Sequence, residues 1–304
     1  MNSAVPGASH APAAPSSRWL AVMPIVFVIL WSTGFIVAKF GLPYAPPLTF
    51  LVLRFGGVSL ALLPLVLLAR APWPTGRVGD IALSGVLVHA GYVGGVWCAI
   101  RLGMPAGLAA LIAGMQPVLT AFAAPLIGER VRPRQWIGFV LGFGGVALVV
   151  VSNKINLIGL SYSSIGLGVF GLLAITVGTL YQKHRCAHFD LRSGTLIQYI
   201  ASTLVMLPLA IYFDGFDLSL SHVHWTPQFV GALLWAIFVL SIGAVFLLFA
   251  LIRKSAATSV TSLLYLTPPT TALMAWVMFG EGFSIIGMAG MLLAVLGVAF
   301  VVKK

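Results

Sequence analysis

Arg54 carries the most pointed chemistry in this sequence. It lies about eight residues into an apolar stretch with no acid beside it, and an ionised side chain within a bilayer costs several kcal/mol unless it meets water, a partner or backbone carbonyls. Its planar fork could hold a carboxylate by paired hydrogen bonds, or its stem could snorkel outward and tie helix ends. His89 and Tyr92 are three apart, hence on one helical face, with Trp97 in the same stretch and Gly91, Gly94 and Gly95 beside them. An intramembrane His can exchange a proton or contact a ligand, or it can be a hydrogen-bonded packing residue. Trp31 with Ser32, Gln116, Tyr181 with Gln182, Gln198 with Tyr199, Trp235 and Tyr265 are further lining candidates. Singly they read as packing or as an interfacial aromatic belt. Together they could wall an apolar cavity with a few polar contacts, the usual character of a small-molecule site.

Gln116-Pro117 and Thr267-Pro268-Pro269 interrupt apolar runs. Proline removes a backbone donor and kinks a helix, and the freed carbonyls can line a polar cavity, so Pro117, Pro268 and Pro269 are expected hinges. Other chemistries find no support. His184-x-Cys186-x-His188 and His222-x-His224 lack a four-ligand set, and Cys98 and Cys186 form no metal or disulfide pattern, so no metal and no cofactor is expected. The chain has six acids, none paired within an apolar run, and neither G-x-S-x-G nor G-x-x-x-x-G-K-[ST]. That argues against an intramembrane hydrolase, a Mg²⁺-dependent transferase and an ATP-driven pump; no enzyme activity is expected.

The elements that must position these residues are membrane spans. The 304 residues are 60% hydrophobic and 8% charged, with a mean hydropathy of +1.07. A net charge of +11 would suggest nucleic acid in a soluble protein, but here the bases sit between apolar runs, so no nucleic-acid partner is expected and the bilayer is the solvent. A span needs about 20 apolar residues. Ten stretches approach that length: 19–39, 46–69, 78–100, 105–127, 134–152, 163–183, 193–213, 226–252, 256–279 and 284–302. Residues 1–18, rich in Ala, Pro and Ser, read as a disordered cytoplasmic tail rather than a signal peptide. With the N-terminus inside, thirteen of the seventeen bases collect on one side and only Lys39, Arg101 and Lys154 on the other. The positive-inside rule then puts both termini in the cytoplasm.

The sequence also repeats. An offset of 152 superposes Arg101 on Arg253, Pro117 on Pro269, Gly128-Glu129 on Gly280-Glu281, Gly138 on Gly290 and Gly145-Val146-Ala147 on Gly297-Val298-Ala299. An offset of 144 superposes Gly34 on Gly178, Lys39 on Lys183 and Leu63-Pro64-Leu65 on Leu207-Pro208-Leu209. Five spans per copy reverse the second copy in the membrane. The expected fold is therefore all-α integral membrane, ten transmembrane helices as two inverted five-helix repeats, 19–152 and 163–302, an arrangement typical of secondary transporters. Glu129 and Glu281 end matched spans and are expected to tie loops, and Gly138-x-x-x-Gly142 with Gly290-x-x-x-Ala294 permits close helix approach, within the chain or in a dimer.

Ten spans, the 5+5 repeat, and in each half a Pro followed about twelve residues later by Gly-Glu and a Gly-rich helix resemble the EamA type of the drug/metabolite transporter superfamily. The carrying residues are Pro117, Gly128-Glu129-Arg130 and Gly138 to Gly145, then Pro269, Gly280-Glu281 and Gly290 to Gly297. Within that superfamily the chain looks most like the YddG-type aromatic amino acid exporters. The resemblance implies a multi-pass protein of a bacterial inner membrane that exports or exchanges small metabolites, amino acids first, by alternating access at a central cavity. A multidrug or other metabolite exporter of the same fold is the alternative. Because His89 is the one mid-membrane relay candidate, a facilitator or exchanger is expected rather than a proton pump. The oligomeric state stays open.

Overall fold

In lipid a spanning segment must satisfy its own backbone donors and acceptors, which a helix does and an isolated strand does not. The computed structural model describes residues 17–104, 109, 112–128, 130–152, 161–186, 189–254, 260, 262–279 and 284–302, and among them every regular element is helical. The expected tail lies outside the described residues as far as residue 16, while Ser17 and Arg18 already belong to the first helix.

The helices are α1 (Ser17–Gly41), α2 (Pro47–Leu68), α3 (Val78–Arg101), α4 (Gln116–Ala123, continued as a 3₁₀ turn Ala124–Ile127), α5 (Pro133–Ser152), α6 (Tyr162–Arg185) and α7 (Leu191–Asp214). α8 runs through Pro227–Leu234, Trp235–Ala244 and Val245–Lys254; α9 comprises a 3₁₀ turn Leu263–Leu266 and Thr267–Phe279; α10 is Ile285–Val302. Of these α2, α3, α6, α7 and α8 are long and apolar enough to cross a membrane, and Val22–Ala38 and Ile285–Val301 are shorter apolar stretches. Their outer faces carry exposed Leu60, Leu68, Phe170, Leu204 and Val277, as expected where lipid rather than water surrounds the protein.

Local chemistry sets the helix ends. Ser161, Asp190 and Thr226 accept the amide protons of Ser164, Arg192 and Phe229, satisfying donors that the first turn leaves free. Gly215 ends α7 with φ 67°, a left-handed conformation that glycine adopts without a Cβ penalty. Pro117 falls in the first turn of α4, just after a turn at 114–115. Pro268 and Pro269 follow Thr267 at the start of the main part of α9. These prolines mark matched breaks rather than bends within continuous helices, at positions where a missing N–H is tolerated.

α2 packs on α7, α3 on α6 and α7, α1 on α8 and α9, and α5 on α10. The last pair answers the question left by the small-residue motif. A Cβ on Gly138 would lie 2.7 Å from the Gly297 carbonyl, one on Gly145 2.5 Å from the Gly290 carbonyl, and one on Gly297 2.4 Å from the Gly142 amide. Both motifs are thus consumed within the chain, backbone against backbone. Glu129, Gly280, Glu281 and Lys154 lie outside the described residues.

α3 and α8 depart from α geometry in their middles. Val86–Gly91 and Trp235–Ala244 are π-helical, a wide turn that often marks functional sites in helices.

Candidate functional site

The two π segments face a shared centre with α1, α2 and α7. Arg54 of α2 is buried, at 7% exposure, and its Nε donates to Ser241 Oγ at 2.8 Å. Its guanidinium carbon lies 5.9 Å from the Phe55 ring centre, and among the described residues no carboxylate forms an ion pair with it. Tyr199 of α7 donates its hydroxyl to the Ser241 carbonyl at 3.0 Å, and its ring stacks on His89 with centroids 4.2 Å apart. Ser241 therefore receives Arg54 on its side chain and Tyr199 on its backbone. His89 is buried and its Nε2 has no hydrogen-bond partner. Trp31 and Tyr92 stack across the opposite side, 6.3 Å between centroids and nearly parallel, and Trp97 packs on Phe50.

These groups enclose a cavity of about 60 Å³, lined among others by Trp31, Arg54, His89, Tyr92, Trp97 and Leu240. Small-molecule sites usually measure roughly 300–1,000 Å³, so the centre is contracted. A larger apolar groove of about 720 Å³ runs between α2, α3, α6 and α7 with Arg101 and Asp214 among its lining residues. Aromatic walls and buried polar groups converge in the smaller space, which makes it the candidate site.

The other predicted lining residues divide. Gln198 is fully buried and donates Nε2 to Ser84 Oγ (2.8 Å) and Gln182 Oε1 (2.9 Å). Gln116 donates to Thr179 Oγ1 at 3.2 Å, joining α4 to α6. Tyr181 donates to the Asp80 carboxylate at the end where α3 begins. Tyr265 is buried with its ring over Gly142, in the α5–α10 contact. Trp235 is exposed and donates to Thr33 Oγ1 at 2.9 Å. The structure therefore brings Trp31, Arg54, His89, Tyr92 and Trp97 into one wall, sets Tyr199 against it, and places Gln116, Tyr181, Trp235 and Tyr265 elsewhere. Ser241 went unnoticed because an apolar run hides a serine. The repeat held the signal, since the 152-residue offset carries His89 onto Ser241. Among the described residues no three of His, Cys, Asp and Glu converge, and His188 lies outside them.

Known proteins resemble this chain in sequence and in fold. A "Uncharacterized transporter YvbV" from Bacillus subtilis is 27% identical over 301 residues, covering 95% of this chain and 93% of its own. A "Probable amino-acid metabolite efflux pump" from Salmonella typhimurium is 27% identical over 288 residues, covering 92% and 94%. One solved structure, at 19% identity, has a TM-score of 0.73 over 94% of this chain and 96% of that one, which is a likeness of fold. The sequence pattern of the EamA-like transporter family matches twice, at residues 18–151 and 162–303. The chain is thus a multi-pass membrane protein that belongs to the EamA-like transporter family of the drug/metabolite transporter superfamily.

Proposed function

We propose that the protein is a secondary transporter that exports or exchanges zwitterionic or neutral amino acids, aromatic and aliphatic, by alternating access at the cavity beside Arg54. Arg54 carries this reading. Among the described residues the buried guanidinium meets no carboxylate; the Ser241 hydroxyl, worth about 1.5–3 kcal/mol, and the Phe55 ring stand against a desolvation penalty of several kcal/mol. A substrate carboxylate is the partner that completes it, and Trp31, Tyr92 and Trp97 supply the apolar wall for its side chain. Asp80 and Asp214 stand at span ends, and the sequence places no acid at mid-span that could neutralise a cationic drug or relay a proton, which favours exchange or facilitated movement.

Ten spans in two inverted halves fit the packing. Advancing each helix number by five turns the α1–α8 contact into α6–α3 and maps α2–α7 and α5–α10 onto themselves. The double family match and the paired π segments support the same reading. Both termini are assigned to the cytoplasm from the basic asymmetry. In proteoliposomes, phenylalanine and leucine are expected to exchange and organic dications are not. Arg54→Gln is expected to abolish exchange, a loss above about a hundredfold given 3–5 kcal/mol for breaking a buried charge pair. Exchange of dications alone would replace this reading with that of a drug exporter.

A further inference from the structure

The two sequence offsets act on the centre itself. The 144-residue offset relates Arg54 to Gln198 and Phe55 to Tyr199, and the 152-residue offset relates His89 to Ser241, Val88 to Leu240 and Val93 to Val245. Both members of the last two pairs line the cavity. Phe55 and Tyr199 lie 5.7 Å apart, ring to ring, and each π segment carries one of His89 and Ser241. Arg54, Phe55 and His89 of the first half and Tyr199 and Ser241 of the second therefore meet at one place, while Gln198 turns to Ser84 and Gln182.

The halves have diverged in a chemically directed way. Arg54 donates to Ser241, whereas the related pair, Gln198 and His89, is not bonded to each other. Gln198 spends its amide nitrogen on Ser84 and Gln182, leaving Oε1 without a partner, and His89 Nε2 is equally unpartnered. Gln198 is 0% and His89 3% exposed, and an unmet polar atom at such depth is costly. Gln198 Oε1 is an acceptor and His89 Nε2 is one when the ring proton sits on Nδ1; of the two residues His89 lines the cavity, together with the donor-only cation Arg54.

We propose that His89 forms the ammonium-binding side of the substrate site, so that an α-amino acid is read as a zwitterion: its carboxylate by Arg54 and its amino group by His89 Nε2. This rests on the amino-acid reading above and adds a role to a residue that reading does not use. The substrate class is accordingly α-amino acids rather than simple carboxylates or amines.

The test is competition in proteoliposomes loaded with phenylalanine, using phenylalanine, 3-phenylpropionate and 2-phenylethylamine as probes. Wild type is expected to prefer phenylalanine over both. His89→Leu is expected to weaken phenylalanine by roughly ten- to a hundredfold, the size of a lost hydrogen bond to a charged group, while leaving 3-phenylpropionate unchanged. His89→Gln, which keeps an acceptor, is expected to restore much of the preference and guards against misreading a folding defect. A parallel loss of phenylalanine and 3-phenylpropionate in His89→Leu, or no loss of either, overturns the ammonium site. Failure of wild type to bind phenylalanine at all overturns the amino-acid reading itself, and the two failures are thereby distinct.

Discussion

The two ends of the helical bundle are held by different means. Where α3 and α7 begin and α6 and α8 finish, side chains cross from one helix to another. Tyr181 donates to Asp80, Arg77 to the Arg185 carbonyl, Lys183 to the Ile252 carbonyl, Arg253 to the Phe189 carbonyl and Ser193 to the Pro72 carbonyl. At the opposite end the cross-ties are backbone donors, Thr49 N to Asp214 and His224 N to the Tyr44 carbonyl. Arg101, related to Arg253 by the 152-residue offset, is exposed there. Cations on the last carbonyls of helices are favourable through both charge and hydrogen bonding. The end with several such ties is the more heavily cross-linked one, and in the proposed orientation it faces the cytoplasm.

The strongest way to break this contrast is to remove two ties together. Lys183→Ala with Arg253→Ala is expected to raise the rate of maleimide alkylation of Cys186, in a Cys98→Ser background, by roughly ten- to a hundredfold, since each lost, partly exposed tie contributes about 0.5–1.5 kcal/mol. Cys186 is buried between these ties, at 3% exposure, so an unchanged rate would show that packing alone shields it. Tyr181→Phe removes one tie only and is expected to speed the same reaction several-fold.

Burial pushes the Cys186 thiol above its ordinary range. Because the thiolate is the reacting form, a raised value leaves less of it at neutral pH, and alkylation of folded protein should climb at higher pH than that of a free cysteine. A profile matching free cysteine would mean that the end breathes open. The smallest effect is expected at the loosely tied end, where Asp214→Asn should leave Cys186 alkylation unchanged and cost about 0.5–1.5 kcal/mol of stability in a thermal melt. A large change in alkylation would show that the ends are coupled in the resting protein.

Much of the fold was legible because length and apolarity alone define a span. The run read at 78–100 is the helix Val78–Arg101, and that at 193–213 is Leu191–Asp214. In the run 105–127 a turn at 114–115 precedes the helix that starts at Gln116, a break that is not legible because a helix apolar on every face gives no periodicity with which to place one; residues 105–108, 110 and 111 lie outside the described ones. Arg54 was legible as an unusual charge. Tyr265 was not assignable, since an aromatic residue looks the same whether it walls a cavity or covers a glycine such as Gly142. The π segments were invisible, because Val86–Gly91 uses the same residue types as the α turns beside it.

Those π segments have a mechanical consequence. Each residue of an α-helix advances the chain by about 100°, so a surplus residue held in a wide turn stores a rotation of about that size between the two ends of the rod. Deleting one residue within Val86–Gly91 would swing Tyr92 and Trp97 off the wall that they share with His89. Unwinding is no alternative for a lipid-embedded helix, because each freed backbone group costs several kcal/mol. A wide turn escapes that penalty: it can migrate along the rod while donors exchange acceptors one at a time. α3 and α8 thus hold a swivel each, one on either side of a cavity of about 60 Å³, and their inner faces can turn away from one another with both helices intact.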